Sequence, residues 1–224
     1  MRVAGRLSWR FEYGNGQASD LRDALFARDV AGLEVPPSHD DIPPPLVAEW
    51  LVGQPPPGLA ALTAADLAAA ADQWLRWWRL LLTNRVSVDE SRPPPGAAVE
   101  TVMAWAKLLY ESAVFDPPDF DSLASAPELQ SVVRATHGAR PRGLADRSGS
   151  FNYQLIRLIA EQTAAEFGVS MDAIDATAHV LDVQGSWWRV IGPGCVLCSP
   201  AATTDPEIAE PLLRELFASR LGRA

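Results

Sequence analysis

The sequence predicts an α+β fold, and three observations lead to that prediction. Most of the chain, which has 224 residues and is 48% hydrophobic, carries apolar residues at the 3.6-residue period of helices. Residues 6–13 alternate with a period of two, as a half-buried strand does. The same period returns after residue 178, where glycine-containing turns separate short apolar runs. We expect a C-terminal three-stranded antiparallel meander, with or without the N-terminal strand, packed against about six to seven α-helices.

The N-terminal strand is predicted from the contrast between its two faces. One face is polar and the other carries the apolar residues Leu7, Trp9, Phe11 and Tyr13. Glycines at 14 and 16 then mark a turn. A lone strand would leave its backbone N–H and C=O groups unpaired. We therefore expect an antiparallel strand that finds its partner in the C-terminal sheet, so that the two ends of the chain meet.

Helices are predicted in the first half of the chain on either side of a proline-rich passage. Ser19 is placed to cap a helix over 20–29. Residues 45–51 have proline in the first turn of a short helix. A further helix over 97–113 follows a second proline cluster and carries apolar residues at helical spacing.

The longest predicted helix begins after Thr63 and ends near Asn84. Thr63 and Asp66 have the spacing of a capping box, in which the two side chains satisfy free N–H groups at the helix start. The buried stripe of this helix consists of Leu67, Ala70, Trp74, Trp77, Trp78 and Leu81. So bulky an apolar stripe indicates a helix at the centre of the molecule.

The second half of the chain is predicted to hold three more helices. The capping-box spacing at 125–128 predicts a helix that ends near Thr136, and apolar periodicity predicts another over 151–167. The same spacing at 204–207 predicts that the terminal helix begins at Thr204.

The C-terminal strands are predicted at 178–184, 187–191 and 195–199. Gln184 and Gly185 separate the first two strands, and Gly192–Gly194 separate the second and third. Turns this short join neighbouring antiparallel strands, which is why we expect a meander.

The chain is expected to form one domain over residues 1–224. The alternative is a helical part over 40–140 beside a sheet-bearing part made of 1–30 and 150–224. No segment between them is long and polar enough to require the division, so the sequence favours a single domain.

Composition excludes some classes of partner. A formal charge of −9 and a pI near 4.8 disfavour binding to nucleic acid or to anionic membranes, both of which attract basic surfaces. The N-terminal segment has no signal-peptide core, and no apolar run approaches the ~18 residues of a membrane helix. Two cysteines suit a reducing compartment, so we expect a cytoplasmic protein. A single lysine, Lys107, among many arginines, alanines and prolines is typical of a GC-rich bacterial genome.

The predicted recognition surface is Trp187, Trp188 and Arg189. Adjacent residues of a strand face opposite ways, so one tryptophan is expected to face the helices and the other solvent, a groove or another subunit. Tryptophan and arginine are enriched where proteins bind one another. The alternative is that helices cover both faces of the sheet and bury both indoles.

Cys195 and Cys198 form a C-x-x-C motif on a predicted strand. Residues three apart on a strand point to opposite faces, which disfavours a disulfide or a shared metal, so we expect buried thiols and predict no metal and no cofactor. A cysteine nucleophile would need a nearby histidine and an orienting acid. His179 and Asp182 are the local pair, and they reach the same cysteine only if the strand bulges.

No complete catalytic, metal or nucleotide motif occurs in the sequence. We therefore expect a protein that binds a protein partner or a small ligand and performs no chemistry of its own. The alternative is a small enzyme or redox protein that uses Cys195 or Cys198. A homodimer paired through a sheet edge or the tryptophan patch is compatible with the first interpretation.

Overall fold

The computed structural model describes residues 8–13, 19–35, 42–51, 56–93, 97–111, 123, 125–137, 139 and 151–222. Within these ranges the strands are β1 (Ser8–Tyr13), β2 (Asp175–Val180), β3 (Trp188–Gly192) and β4 (Cys195–Cys198). The α-helices there are α1 (Ser19–Val30), α2 (Ala64–Ser91), α3 (Val99–Glu111), α4 (Pro127–His137), α5 (Tyr153–Glu166), α6 (Pro200–Thr204) and α7 (Pro206–Leu221). The predicted α+β class is confirmed.

The C-terminal strands do not form the predicted antiparallel meander. In the described part of the chain the sheet has the order β1-β2-β4-β3, with β4 between β2 and β3. Strand β4 is parallel to β2 and antiparallel to β3. The prediction was wrong because β2 ends at Val180, and residues 181–187 cross to the outer edge of the sheet instead of turning tightly. On the way, Val183 forms a bridge with Leu46, and the Gln184 N–H donates to the Pro45 carbonyl at 2.8 Å.

The N-terminal strand joins the sheet, but it pairs with β2 in parallel and not in the predicted antiparallel sense. Trp9 lies opposite Ala176 in this pairing. Parallel neighbours need a crossover connection, which the long helical part of the chain between β1 and β2 supplies. The Trp9 ring meets Phe151 and Phe217 edge to face, with ring centroids 5.5 Å apart in each case.

Helix α2 is longer than predicted. Its capping box is present, since the Thr63 hydroxyl accepts from the Asp66 N–H at 3.2 Å and the Asp66 carboxylate accepts from the Thr63 N–H at 2.8 Å. The helix then continues past Asn84 to Ser91 because Arg85 and Val88 extend its buried face. This extra length brings residue 89 to the sheet.

One other predicted helix and the start of the terminal helix differ from the prediction. Residues 45–51 contain only a short 3₁₀ turn, Ala48–Trp50. Thr204 does not begin the terminal helix, because its hydroxyl donates back to the Ala201 carbonyl within α6. The cap of α7 is Asp205, whose carboxylate accepts from the Glu207 N–H at 3.0 Å.

Apolar layers cover the sheet on both sides. On the α2 face, residues of α1, α2 and α4 pack around Leu197, and Trp74 stacks on Trp78 with ring centroids 5.4 Å apart. On the α7 face, residues of α5 and α7 pack on Val196 and Cys198 of the same strand. In the ranges described, no helix combines the length and apolar character needed to cross a membrane.

Candidate functional site

The two cysteines point to opposite faces of β4. Both are free and fully buried. Cys198 lies in the apolar layer of the α7 face, whereas Cys195 meets Asp89 of α2 on the other face. Burial raises the pKa of the Cys198 thiol, and it raises the pKa of the Cys195 thiol to about 11 despite the opposing effect of nearby His179. Both side chains are therefore neutral thiols near neutral pH.

Strand pairing brings His179 beside Cys195. In the parallel register Cys195 lies opposite Thr177, so His179 is two residues further along β2 and on the same face. The His179 Nε2 atom lies 3.0 Å from Asp89 Oδ2, and the Cys195 Sγ–H donates to that same oxygen at 3.1 Å. The three side chains form the Asp89–His179–Cys195 cluster.

Asp89 is held in place by its own helix. It lies in the last turns of α2, where the Arg92 guanidinium donates to its other oxygen, Oδ1, at 3.2 Å. The Arg92 guanidinium in turn lies 5.1 Å from the ring centroid of Trp105 in α3. Burial favours the neutral acid, but hydrogen bonds from His179 and Cys195 and the charge of Arg92 hold the pKa of Asp89 below its usual value. Asp89 is therefore a carboxylate at neutral pH.

Asp182, the acid that the sequence placed beside His179, lies elsewhere. Its carboxylate pairs with Arg22 of α1 at 3.7 Å, and its backbone carbonyl accepts from the Val47 N–H at 2.9 Å. Asp89 takes the position next to His179 instead. Local spacing could not identify Asp89, since it precedes His179 by 90 residues. The available signal was the apolar period of α2, which continues to Val88 beyond the predicted helix end.

The cluster differs from a nucleophilic triad in the position of its acid and in the protonation of its thiol. In such a triad the histidine lies between the cysteine and the acid and accepts the thiol proton. Here the Asp89 carboxylate contacts both His179 and Cys195, His179 also interacts with the Cys195 thiol, and that thiol is neutral and fully buried. What the three side chains do offer is one oxygen, one nitrogen and one sulfur ligand, with ligand atoms all within 4.8 Å of one another. These are donor types found in zinc sites.

Trp188 and Arg189 of the predicted recognition surface lie on β3, at the edge of the sheet, and Trp187 immediately precedes this strand. Trp187 packs against the α2-face layer and Trp188 against the α7-face layer, and each indole is half-buried. Arg189 is exposed. The structure therefore divides the two tryptophans between opposite faces and leaves part of each accessible to solvent.

A groove runs between α2 and β3. It is lined by residues 79–90 of α2 and 189–193 at the end of β3, and it comprises two adjoining hollows of about 350 and 420 Å³. Gly192 permits the close approach of strand and helix, because a Cβ atom there would lie 2.6 Å from a methyl group of Val86. We call this feature the α2–β3 groove.

The outer edge of β3 turns backbone N–H and C=O groups away from β4. The Ser199 N–H donates to the Trp187 carbonyl at 2.8 Å, which marks a hydrogen-bonded pair. Such pairs alternate in an antiparallel ladder, so Arg189 bonds inward to β4 while Trp188 and Val190 turn their N–H and C=O groups outward. In the part of the chain that the structure describes, no strand pairs with this edge.

Comparison with known proteins adds no assignment to these sites. No family model matches the chain, and no curated protein or solved structure matches it either. Function is therefore inferred from the chain's own residues.

Proposed function

We propose that the protein is a non-catalytic binding protein that holds an extended segment of a protein partner along the outer edge of β3, in the α2–β3 groove. The observation that carries the proposal is a strand edge with which no described strand pairs, with a helix beside it. An extended peptide can add to such an edge as a further strand. Backbone hydrogen bonds then supply affinity, and the flanking groove selects side chains.

The backbone part of the site is short. Trp188 and Val190 present the outward N–H and C=O groups, and a bulge between Val190 and Gly192 ends the regular edge. The partner segment therefore pairs over only a few residues. Most of its selectivity has to come from side chains that enter the groove.

The groove is charged differently at its two ends. Arg79 and Arg189 line one hollow, and Glu90 lines the other. Leu82 and Ile191 contribute to both hollows and give the groove an apolar floor. The segment that fits best is extended, with an apolar residue at its centre, an acidic residue near Arg189 and a basic residue near Glu90.

The tryptophans that flank the edge support the same function. Each indole is partly covered by its own layer and partly open, so a bound segment can bury the remainder. Burial of Trp and Arg side chains at the centre of an interface commonly carries much of the binding free energy.

A random-peptide display library tests this proposal, with selected peptides then titrated by fluorescence anisotropy. We expect extended peptides that contain an acidic residue. Val190→Pro removes an outward N–H and should weaken binding by about tenfold or more, since one backbone hydrogen bond is lost and the edge is distorted. Val190→Ala is the matched control, because it shortens the side chain but keeps the N–H, and it should bind close to the wild type.

Charge reversal tests the acidic end of the ligand. Arg189→Glu should weaken binding of the selected peptides, and Arg189→Lys should retain most of it, because only the first change repels the acidic residue. Equal binding by wild type, Val190→Pro and Arg189→Glu would show that the groove is not the binding site.

A second copy of the chain is the other occupant that an open edge allows. Two β3 strands paired across a two-fold axis would form a continuous sheet. Analytical ultracentrifugation distinguishes this case: a dimer that Val190→Pro dissociates would assign the edge to self-association, and a monomer would leave it to a peptide partner.

A further inference from the structure

The Asp89–His179–Cys195 cluster has no part in the proposed binding of a peptide, yet its three side chains converge on one point inside the protein. The His179 side chain is fully buried and that of Asp89 is 7% exposed. Here a buried imidazole and a buried thiol both contact one oxygen of a buried carboxylate. Burying three such polar groups together costs free energy unless they are well paired, so their convergence points to a function. We propose that this cluster binds a single divalent transition-metal ion of the zinc class.

The distances fit such an ion. In a tetrahedral zinc site, with ligands about 2.0–2.3 Å from the metal, neighbouring ligand atoms are about 3.3–3.6 Å apart. Asp89 Oδ2 lies 3.0 Å from His179 Nε2 and 3.1 Å from Cys195 Sγ. His179 Nε2 and Cys195 Sγ lie within 4.8 Å of each other. The two distances from Asp89 Oδ2 need to lengthen by only a few tenths of an ångström to reach the spacing of tetrahedral ligands.

The ligands are carried by elements that restrict their movement. His179 and Cys195 lie on two strands that pair with each other, and Asp89 lies on a helix of 28 residues packed on that sheet. Arg92 holds Oδ1 of Asp89 and leaves Oδ2 directed towards the other two side chains. Partners that orient a metal ligand in this way raise metal affinity.

The ligand types and their charges suit such an ion. On metal binding Cys195 releases its thiol proton to solvent and becomes a thiolate, and the Nε2 proton that His179 donates to Asp89 leaves that nitrogen, so that a neutral imidazole binds the ion through Nε2. The charges of a divalent ion, one thiolate, one carboxylate and one neutral imidazole cancel, and the Arg92 guanidinium lies beside them on the other oxygen of Asp89. A thiolate and an imidazole together select zinc-class ions over magnesium or calcium, which prefer oxygen ligands. Solvent or a small ligand completes the coordination.

Cobalt(II) is the probe for this site, because Co²⁺ takes zinc positions and reports its ligands by absorption. We expect the purified full-length protein to bind one equivalent, with a thiolate-to-cobalt charge-transfer band in the near ultraviolet and intense visible bands of tetrahedral cobalt. Addition of Zn²⁺ should remove both sets of bands. Zn²⁺ should also raise the melting temperature, because it binds the native state.

Variants assign the ligands. Cys195→Ser keeps a hydroxyl donor to Asp89 but should lose the charge-transfer band, and His179→Gln should weaken Co²⁺ binding by more than about tenfold. Cys198→Ala is the matched control, since it removes the other buried thiol of the same strand and should leave the spectrum unchanged. The chain has only these two cysteines. The wild-type and Cys198→Ala spectra together therefore identify Cys195 as the thiolate ligand, even if a cluster variant fails to fold.

Two results would overturn the proposal. One is a folded wild-type protein that takes up no Co²⁺ with thiolate character. The other is a charge-transfer band that disappears in Cys198→Ala. Neither result bears on the α2–β3 groove, because peptide binding is measured separately and in the presence of a chelator.

Discussion

The two faces of the sheet bury their side chains in different ways, and Cys195 and Cys198 show the difference on a single strand. The α7 face presents Cys198 to an apolar layer that includes Phe217 and Leu213. The α2 face also has a large apolar layer, but it buries the ion pairs Arg22–Asp182 and Arg85–Asp20 and the Asp89–His179–Cys195 cluster. Two cysteines with the same burial thus have different chemistry.

This contrast suggests different roles for the two faces of the sheet. Apolar side chains stabilise a fold without needing specific hydrogen-bonding partners. Buried charged groups do need such partners, and they seldom make a protein more stable than an apolar core would. We therefore interpret the α7 face as the structural side of the sheet. The α2 face, which also borders the α2–β3 groove, is the side where specific binding is expected.

The largest effect is expected from a loss of packing on the α7 face. Phe217→Ala should lower the free energy of unfolding by about 3–5 kcal/mol, because it leaves a cavity beneath Trp9. Urea denaturation measures this change. Leu213→Met, which keeps the volume, should cost less than about 1.5 kcal/mol. If the two variants were equally stable, the α7 face would not be a tightly packed layer.

A smaller loss is expected from the polar cluster on the α2 face. Asp89→Ala removes the acceptor shared by His179 and Cys195 and should lower the free energy of unfolding by about 1–3 kcal/mol, measured with a chelator present. Asp89→Asn retains an acceptor oxygen and should lose less. An alanine variant as stable as the wild type would show that the hydrogen bonds of Asp89 do not hold α2 against the sheet.

The smallest change is expected at Cys198. Cys198→Ala removes one buried apolar atom and should cost about 1 kcal/mol, in line with the loss of a single buried methylene-sized group. Thermal unfolding followed by circular dichroism gives the comparison. A much larger loss would mean that Cys198 has a polar role like that of Cys195, and the contrast between the faces would be wrong at this position.

Local signals in the sequence predicted the elements better than their arrangement. The capping box of Thr63 and Asp66 and the tryptophan stripe of α2 predicted that helix, because both depend on residues within a few positions of one another. The position of β4 between β2 and β3 depends on where residues 181–187 cross, and no short-range pattern encodes that path. The capping spacing at Thr204 was misleading because Asp205 is an equally good cap one residue later.

The candidate sites were predictable only in part, for the same reason. The sequence identified five candidate residues within one C-terminal stretch: His179, Trp187, Trp188, Arg189 and Cys195. The cluster needs Asp89 from α2, and the groove needs the α2 residues that face β3. Both contributions come from a helix about a hundred positions earlier, so they depend on tertiary packing that the sequence pattern alone does not specify.

A crystal structure of the protein grown with Zn²⁺, with anomalous diffraction recorded on both sides of the zinc absorption edge, tests the contrast between the faces most directly. We expect one zinc ion within bonding distance of Asp89 Oδ2, His179 Nε2 and Cys195 Sγ, and no ion near Cys198. An unoccupied cluster, with these three side chains still joined only by hydrogen bonds at saturating zinc, would contradict the assignment of a metal site to the α2 face.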